Sequence, residues 1–421
     1  MIADAKAFFD GLFRAAVAAA DPALSIGRFL PAKPKGRTIV IGAGKASSQM
    51  AAALESIWQG PLEGVVVTRY GYAAKCDRIE IIEAAHPVPD EAGLLATQRL
   101  LGSISDLTDD DLVIALISGG GSALLPSPPE GMSLADEVAI NDALLGSGAP
   151  IAAMNTVRKQ LSDIKGGRLA LAVWPAKLVT LVVSDVPGDD PALVASGPTI
   201  ADHTTRADAL RIIDEYKIRL PKSAIRHLTF FKDNAPSPWD ERLLTNEIHI
   251  IASASLSLEA AAEYARAQGI EAVILSDSIE GEARDVAGVH AALAREISLR
   301  NRPFRKPILL LSGGETTVTL RARSGKGGRN TEFLLALAIA LQGIDGVSAF
   351  AADTDGIDGS ESNAGAFVLA DTLVRMRKNE IDPVRSLSKN DAWTAFNSIG
   401  DLYAPGPTGT NVNDLRAILI T

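Results

Sequence analysis

Thr38-Ile39-Val40-Ile41-Gly42-Ala43-Gly44-Lys45-Ala46-Ser47 runs from β-branched residues into glycines, a lysine and small side chains. The apolar start predicts a buried strand over Thr38–Ile41. The Ala-rich segment Lys45–Trp58 that follows carries helical spacing, so the turn between them is a strand-to-helix junction. The same grammar recurs outward along the chain. Apolar runs stand at Val65–Thr68, Ile79–Glu83, Asp111–Ile117, Leu178–Val183, Ile248–Ala252, Ala272–Leu275, Ile308–Leu311, Val318–Leu320, Val347–Ala351 and Ala417–Ile420. Helix-spaced segments such as Glu91–Leu101, Leu256–Gln268, Glu282–Ser298 and Asn330–Leu341 lie between many of them. Continuous apolar strands alternating with helices imply an α/β fold around a parallel sheet covered on both faces.

The length of 421 residues suits two or three domains. Asp233–Asn246 (DNAPSPWDERLLTN) is polar and holds two prolines, which predicts a boundary near 240, with domains 1–240 and 241–421. Fifty-one acids against 41 Lys+Arg give a formal charge of −10, and no basic cluster stands out, so nucleic acid is not expected as a partner. The single cysteine, Cys76, excludes a disulfide framework or a cysteine-based metal cluster. The N-terminal segment (MIADAKAFFDGLFRAAVAAA) reads as an amphipathic helix, not a signal peptide, and no apolar run reaches membrane-spanning length. A cytoplasmic protein with no membrane partner is expected.

In open α/β sheets ligands bind beyond the carboxyl ends of the strands, and the unusual loops of this chain cluster there. At Gly44-Lys45, helix-start amides and an ammonium suit an anion. A P-loop would need Gly at 39 and Ser or Thr at 46, where Ile39 and Ala46 stand. A dinucleotide fingerprint would need Gly at 47, where Ser47 stands. The run Ser118-Gly119-Gly120-Gly121-Ser122 can fold into a nest of N–H groups for phosphate or carboxylate. In MNTVRKQLSDIKGGRL, Asn155 leads a group of cations in which Arg158 and Lys165 share a helical face. Asp185, Asp189 and Asp190 sit on a proline-stiffened loop, and Asp353, Asp355 and Asp358 on another; either suits a hard divalent cation or a substrate hydroxyl. Glu315 follows a Gly-Gly turn, while Lys326, Arg329 and Asn330 open a helix, with the two cations suited to a transferring phosphoryl group. His86, in AHPVPDEAG, is read as structural. Together these residues predict an enzyme acting on a phosphorylated or carboxylated small molecule, with Mg²⁺.

VIGAGKAS, HPVPDEAG, SGGGSALL, MNTVRKQLSDIKGGRLA, SDVPGDD with SGPT, LSGGETTVT, GKGGRNTEF, DTDGIDG and TGTNVNDL occur in order from about residue 38 to 415. This series resembles the ATP-dependent glycerate 2-kinases whose C-terminal region is called MOFRL, departing from it slightly at Ala85. The resemblance implies a Rossmann-like first domain, a second α/β domain of MOFRL type, and an active site in a cleft between them. It implies ATP, Mg²⁺ and D-glycerate, giving 2-phosphoglycerate and ADP. It makes Lys45 and Arg329 the principal site residues, with Asp185 or Asp353 acting on the hydroxyl and Asp189 or Asp355 holding metal. Gly44, Ser118–Ser122, Asn155, Arg158, Lys165, Glu315, Lys326 and Asn330 complete the expected binding set. On that basis, Lys45→Ala and Arg329→Ala are each expected to cut turnover and spare the fold. Members of the family are also labelled hydroxypyruvate reductase, an NAD(P)H-linked alternative that Ser47 argues against. A homodimer is left open.

Overall fold

The computed structural model describes residues 4–201, 203–231, 234–320 and 325–421. It divides into two compact units, Pro22–Ile251 and a second made of Met1–Asp21 with Ala252–Thr421. Residue 233, where the expected linker begins, lies outside the described residues.

The first unit is built on β1 (Thr38–Ala43), β2 (Glu63–Arg69), β3 (Ile79–Ala84), β4 (Leu112–Ser118), β5 (Lys177–Val183) and β6 (Glu247–Ala252), in spatial order 3-2-1-4-5-6. The pairs β1–β2, β1–β4, β2–β3 and β4–β5 are parallel. This is the strand order of the Rossmann doubly wound sheet, and its direction of winding reverses between β1 and β4. Every residue of β1 and β4 is buried. The sheet leaves no room at Gly42, where a Cβ would stand 2.3 Å from the carbonyl oxygen of Leu116. Ile39, Ile41, Val113, Ala115 and Ile117 share one core with helix Glu91–Ser103. A smaller core joins four helices, with Ile140, Leu144, Val157, Leu161, Ile212 and Leu228 among its residues.

The second unit is a sandwich of helices about a mixed sheet. Its strands are β7 (Glu271–Ser276), β9 (Ile308–Ser312), β11 (Val347–Asp353), β12 (Gly365–Val368), β13 (Leu402–Tyr403) and β14 (Asp414–Ile420), in order 13-12-11-14-9-7, with a ribbon of β8 (Gly281–Glu282) and β10 (Thr316–Thr317). Only β7–β9 is parallel in the six-stranded sheet. Apolar runs report burial on two faces and carry no information about strand direction, so the parallel expectation holds for β1 to β5 of the first sheet and fails for most of the second. Alternation along β9 divides the core. Ile308 and Leu310 pack with helices Ala283–Arg300 and Arg329–Ala340, while Leu309 and Leu311 face helices Ala5–Ala19 and Ala254–Ala267.

The division falls at 251/252, eleven residues after the one read from composition, because β6 completes the first sheet beside β5. Residues before 22 join the second unit for an equally physical reason. Helix Ala5–Ala19 buries Phe8, Phe9, Leu12 and Phe13. Phe9 stacks on Phe350 at 5.8 Å, and the Tyr403 hydroxyl donates to Asp10 at 2.8 Å. The segment expected as a strand over Val318–Leu320 is not one; the strand lies just before it, at Thr316–Thr317. No described helix is long and apolar enough to cross a membrane.

Candidate active site

At the switch point of the first sheet, the β1 and β4 loops are bonded into one crevice floor. The Lys45 amide donates to the Gly119 carbonyl at 2.9 Å, and the Ala46 amide to Ser118 Oγ at 3.0 Å. Ser47 Oγ lies 3.0 Å from Ser118 Oγ. Only glycine fits at 44, where φ is +142° and a Cβ would stand 2.1 Å from Ser118 Oγ. Gly120 is left-handed at φ +80°; a Cβ there would meet His86 Nε2 at 2.9 Å and Lys45 Cγ at 3.2 Å. Asp185 completes the rim, since a Cβ on Gly119 would fall 1.7 Å from its Oδ2.

The Lys45 side chain is half-buried and has no ion-pair or hydrogen-bond partner among the described residues. Burial, with the charges of Lys45 and Arg69 added, pushes the His86 imidazole down to about 4, so it is neutral near pH 7. His86 was legible only as part of AHPVPDEAG; its place against Gly120 depends on a fold that returns β3 to the side of β2.

A hydrogen-bonded chain leads away from Ser122. Its Oγ lies 2.8 Å from Ser196 Oγ, which donates to Asn155 Oδ1 at 3.2 Å. Ala195 and Ser196 hold φ of 53° and 61°, strain that side chains rarely accept and that often marks functional loops. Arg158 donates to the same Asn155 oxygen at 3.2 Å and to Asn141 Oδ1 at 2.9 Å. Lys165, expected beside these, points elsewhere. It is buried with Glu137 at 2.8 Å and the Leu125 carbonyl at 3.1 Å, so its charge is satisfied inside the protein. Asp189 shares the Asp185 loop in a left-handed conformation, φ 53°.

The second unit gathers a different cluster. Arg329 opens the helix Arg329–Ala340 and is held by three carboxylates: Nε reaches Asp414 at 2.8 Å, one terminal nitrogen Asp353 at 2.6 Å, and the other Glu315 at 3.2 Å. Asp353 and Asp414 face each other across β11–β14. Burial, then the charge of Asp414, raises the Asp353 carboxyl well above the usual range despite Arg329. Burial opposes the Arg329 charge, but Asp414, Asp353 and Glu315 outweigh it and raise its affinity for its proton. Asp414 also binds the buried Arg416 at 2.8 Å and the Asn330 amide at 2.8 Å. Asp358 accepts the Asn330 and Thr331 amides, each at 2.9 Å, and so occupies the helix N-terminus itself. Burial pushes its carboxyl up to about 6.

Arg329, Glu315, Asn330 and Asp353 are thus brought together, largely satisfied by one another. Lys326 stands apart, 3.4 Å from Glu361 and 4.9 Å over the Trp393 ring. Asp355 Oδ1 accepts the Ile357 amide at 2.8 Å, a local turn. Asp414 and Arg416 were not singled out by sequence reasoning. Asp414 closes the stretch TGTNVND and opens β14, whereas Arg416 lies inside that apolar strand with no motif to mark it. Among the described residues no three His, Cys, Asp or Glu side chains form a metal cage, and the expected ligands Asp189 and Asp355 belong to different units.

A family model described as the domain of unknown function DUF4147 matches residues 8–229, and one described as the MOFRL family matches 308–414. The chain is 40% identical over 411 residues to the D-glycerate 2-kinase of Thermotoga maritima, covering 97% of each protein. It belongs to the MOFRL glycerate kinase family. A member from Agrobacterium vitis carrying the name putative hydroxypyruvate reductase is 54% identical, over 97% of this chain and 93% of its own. The structure of the glycerate kinase from Thermotoga maritima superposes with a TM-score of 0.90 at 39% identity, covering 99% of both chains. Kinase membership implies ATP as phosphate donor and small-molecule substrates. The family's Gly-Ala-Gly-Lys turn here places Lys45 at the crevice between β1 and β4, where open sheets of this order bind ligands.

Proposed function

We propose that this protein is an ATP-dependent glycerate 2-kinase, moving the γ-phosphoryl group of ATP to the C2 hydroxyl of D-glycerate and releasing 2-phosphoglycerate and ADP. The observation that carries the reading is Lys45, an ammonium without a partner among the described residues, beside a three-glycine cradle at the sheet's switch point. Phosphoryl transfer needs positioning and charge neutralisation more than covalent help from the protein. Lys45 and the amides of the Ser118–Ser122 loop supply both. Of the two acids expected to act on the hydroxyl, Asp185 is the better placed, since it lies on the cradle, whereas Asp353 is buried against Arg329 and Asp414. As the C2 oxygen bonds to phosphorus and the bond to the β–γ bridging oxygen breaks, the hydroxyl proton passes to Asp185 and ADP leaves with the electron pair.

Mg²⁺ bound to ATP would neutralise the phosphate oxygens. Its usual protein share is one or two carboxylates, and Asp189, an oxygen donor on the Asp185 loop, fits that part. Arg329 acts mainly through its neighbours. Its contact with the exposed Glu315 is the one an anionic substrate group can replace, whereas Asp353 and Asp414 are buried. The acidic composition and single cysteine favour a cytoplasmic enzyme, and light scattering of the purified chain measures whether it is a homodimer.

The reductase reading is less favoured because Ser47, completely buried, holds the place where a dinucleotide fingerprint needs glycine, and is bonded there to Ser118. One assay separates the two. Purified protein with D-glycerate, ATP and Mg²⁺ should release ADP and a product that enolase accepts directly. A product needing a mutase first would refute C2 regiochemistry. Oxidation of NADH or NADPH by hydroxypyruvate without ADP release would overturn the kinase reading.

A further inference from the structure

Arg158 carries a charge that the protein orients without neutralising. It sits on the helix Ile151–Gln160, half-buried, and burial pulls its guanidinium below the ordinary range while Glu137 only partly offsets this. Among the described residues no carboxylate pairs with it. Glu137, the nearby acid, gives its Oε1 to Lys165 at 2.8 Å, and its buried Oε2 hydrogen-bonds no described group, so it acts on Arg158 only through its charge. The two partners Arg158 does have are amide oxygens, Asn141 at 2.9 Å on Nε and Asn155 at 3.2 Å on one terminal nitrogen. An aspartate at either place would neutralise the cation; asparagine fixes its direction and leaves the charge available. Asn155 is itself fixed, 3% exposed, accepting from Ser196 at 3.2 Å and donating to the Leu193 carbonyl at 3.3 Å. Ser196 in turn holds Ser122 of the glycine cradle at 2.8 Å.

A half-buried cation whose nearby acid only partly offsets its charge is costly to hold unless a ligand supplies a counter-ion. The second terminal nitrogen and the remaining N–H of the first form the planar two-donor edge that matches a carboxylate bidentately. The phosphate chain of the donor already has Lys45 and the cradle amides. We propose that Arg158 reads the carboxylate of the acceptor, so that the site selects a 2-hydroxy acid over its neutral amide or alcohol. This inference rests on the kinase reading for the identity of the acceptor, though the anion site itself rests on geometry alone.

The test compares wild type, Arg158→Gln and Arg158→Lys with glycerate and with glyceramide, alongside calorimetric binding of glycerate in the absence of ATP. In R158Q the KM for glycerate should rise by about 10- to 150-fold, the range for a lost charge-assisted hydrogen bond. The KM for ATP should stay within about twofold, and the preference for glycerate over glyceramide should fall by the same factor as glycerate binding. R158K should retain part of the preference, because it keeps charge but not the fork. An unchanged preference, or a rise confined to the KM for ATP, would overturn the assignment. If R158Q does not fold, R158K alone decides, and a preference within about twofold of wild type refutes the proposal. Wild type that binds glycerate through Arg158 yet releases no ADP would refute the kinase reading and leave the carboxylate site standing.

Discussion

Replacing Arg329 with alanine removes a guanidinium from among Asp414, Asp353 and Glu315, at 2.8, 2.6 and 3.2 Å. Sequence alone predicts that this change spares the fold; the ion pairs predict that it does not. Asp414 is fully buried and Asp353 nearly so, whereas the Glu315 carboxylate is more than half exposed and adds little. Breaking a buried pair by removing one partner costs about 3–5 kcal/mol. For a unit of roughly 190 residues each kcal/mol moves the midpoint by about 2–4 °C, so its Tm should fall by roughly 6–20 °C. The loss should depend on pH. Asp353 already holds its proton more tightly than an unfolded aspartate, and without Arg329 it will do so further. The folded variant then binds more protons than its unfolded chain, so its stability falls as pH rises above the range in which an unfolded aspartate titrates. Scanning calorimetry of R329A and wild type at pH 5.5 and pH 8 should find the larger gap at pH 8. Equal midpoints at both values would mean the cluster contributes nothing to stability, and the argument from its geometry would fail.

Lys45→Ala should behave oppositely: kcat down by about 10²–10³ with an unchanged Tm, because its ammonium has no partner to lose among the described residues, as turnover and melting curves would measure. Gly120→Ala forces a side chain into a left-handed residue and against His86 Nε2, costing about 1–2 kcal/mol in urea titrations together with a loss of turnover; stability like wild type would refute the crowding. Asp358 has its folded pKa raised to about 6, so the folded state takes up its proton before the unfolded one does and stability falls as pH rises from about 4 to 6. Asp358→Asn should flatten that slope by up to one proton while weakening the helix cap, and an unaltered slope in pH-dependent unfolding would show that Asp358 is not the titrating group.

The first sheet was legible because β1 and β4 are buried on both faces, which forces unbroken apolar runs ending in glycine. The cradle followed, since glycines at 44 and 119–121 advertise backbone that a side chain would block. Short pieces were not legible. β12 is four residues and β13 two, too brief to carry a period, and nothing in an apolar run tells β14 to lie antiparallel between β9 and β11. Charges were the least legible. KGGR suggests a phosphate site, yet Lys165 is consumed by Glu137, twenty-eight residues earlier in the chain. Arg329 reads as an available cation until β14 brings Asp414 against it.

The first unit is an insertion: residues 22–251 interrupt a domain whose own pieces are 1–21 and 252–421. The greasy side of helix Ala5–Ala19 must therefore wait during synthesis for partners such as Tyr403, whose hydroxyl meets Asp10 across 393 residues of chain. At about 5–20 residues per second that is roughly 20–80 s with Phe8, Phe9 and Phe13 lacking their sheet. The inserted unit can assemble on the ribosome meanwhile, all six of its strands having emerged. A nascent chain of this design offers chaperones a phenylalanine-rich handle for most of its translation, and a circular permutant that links residue 421 to residue 1 and opens the chain between 21 and 22 would place the helix last and remove the wait.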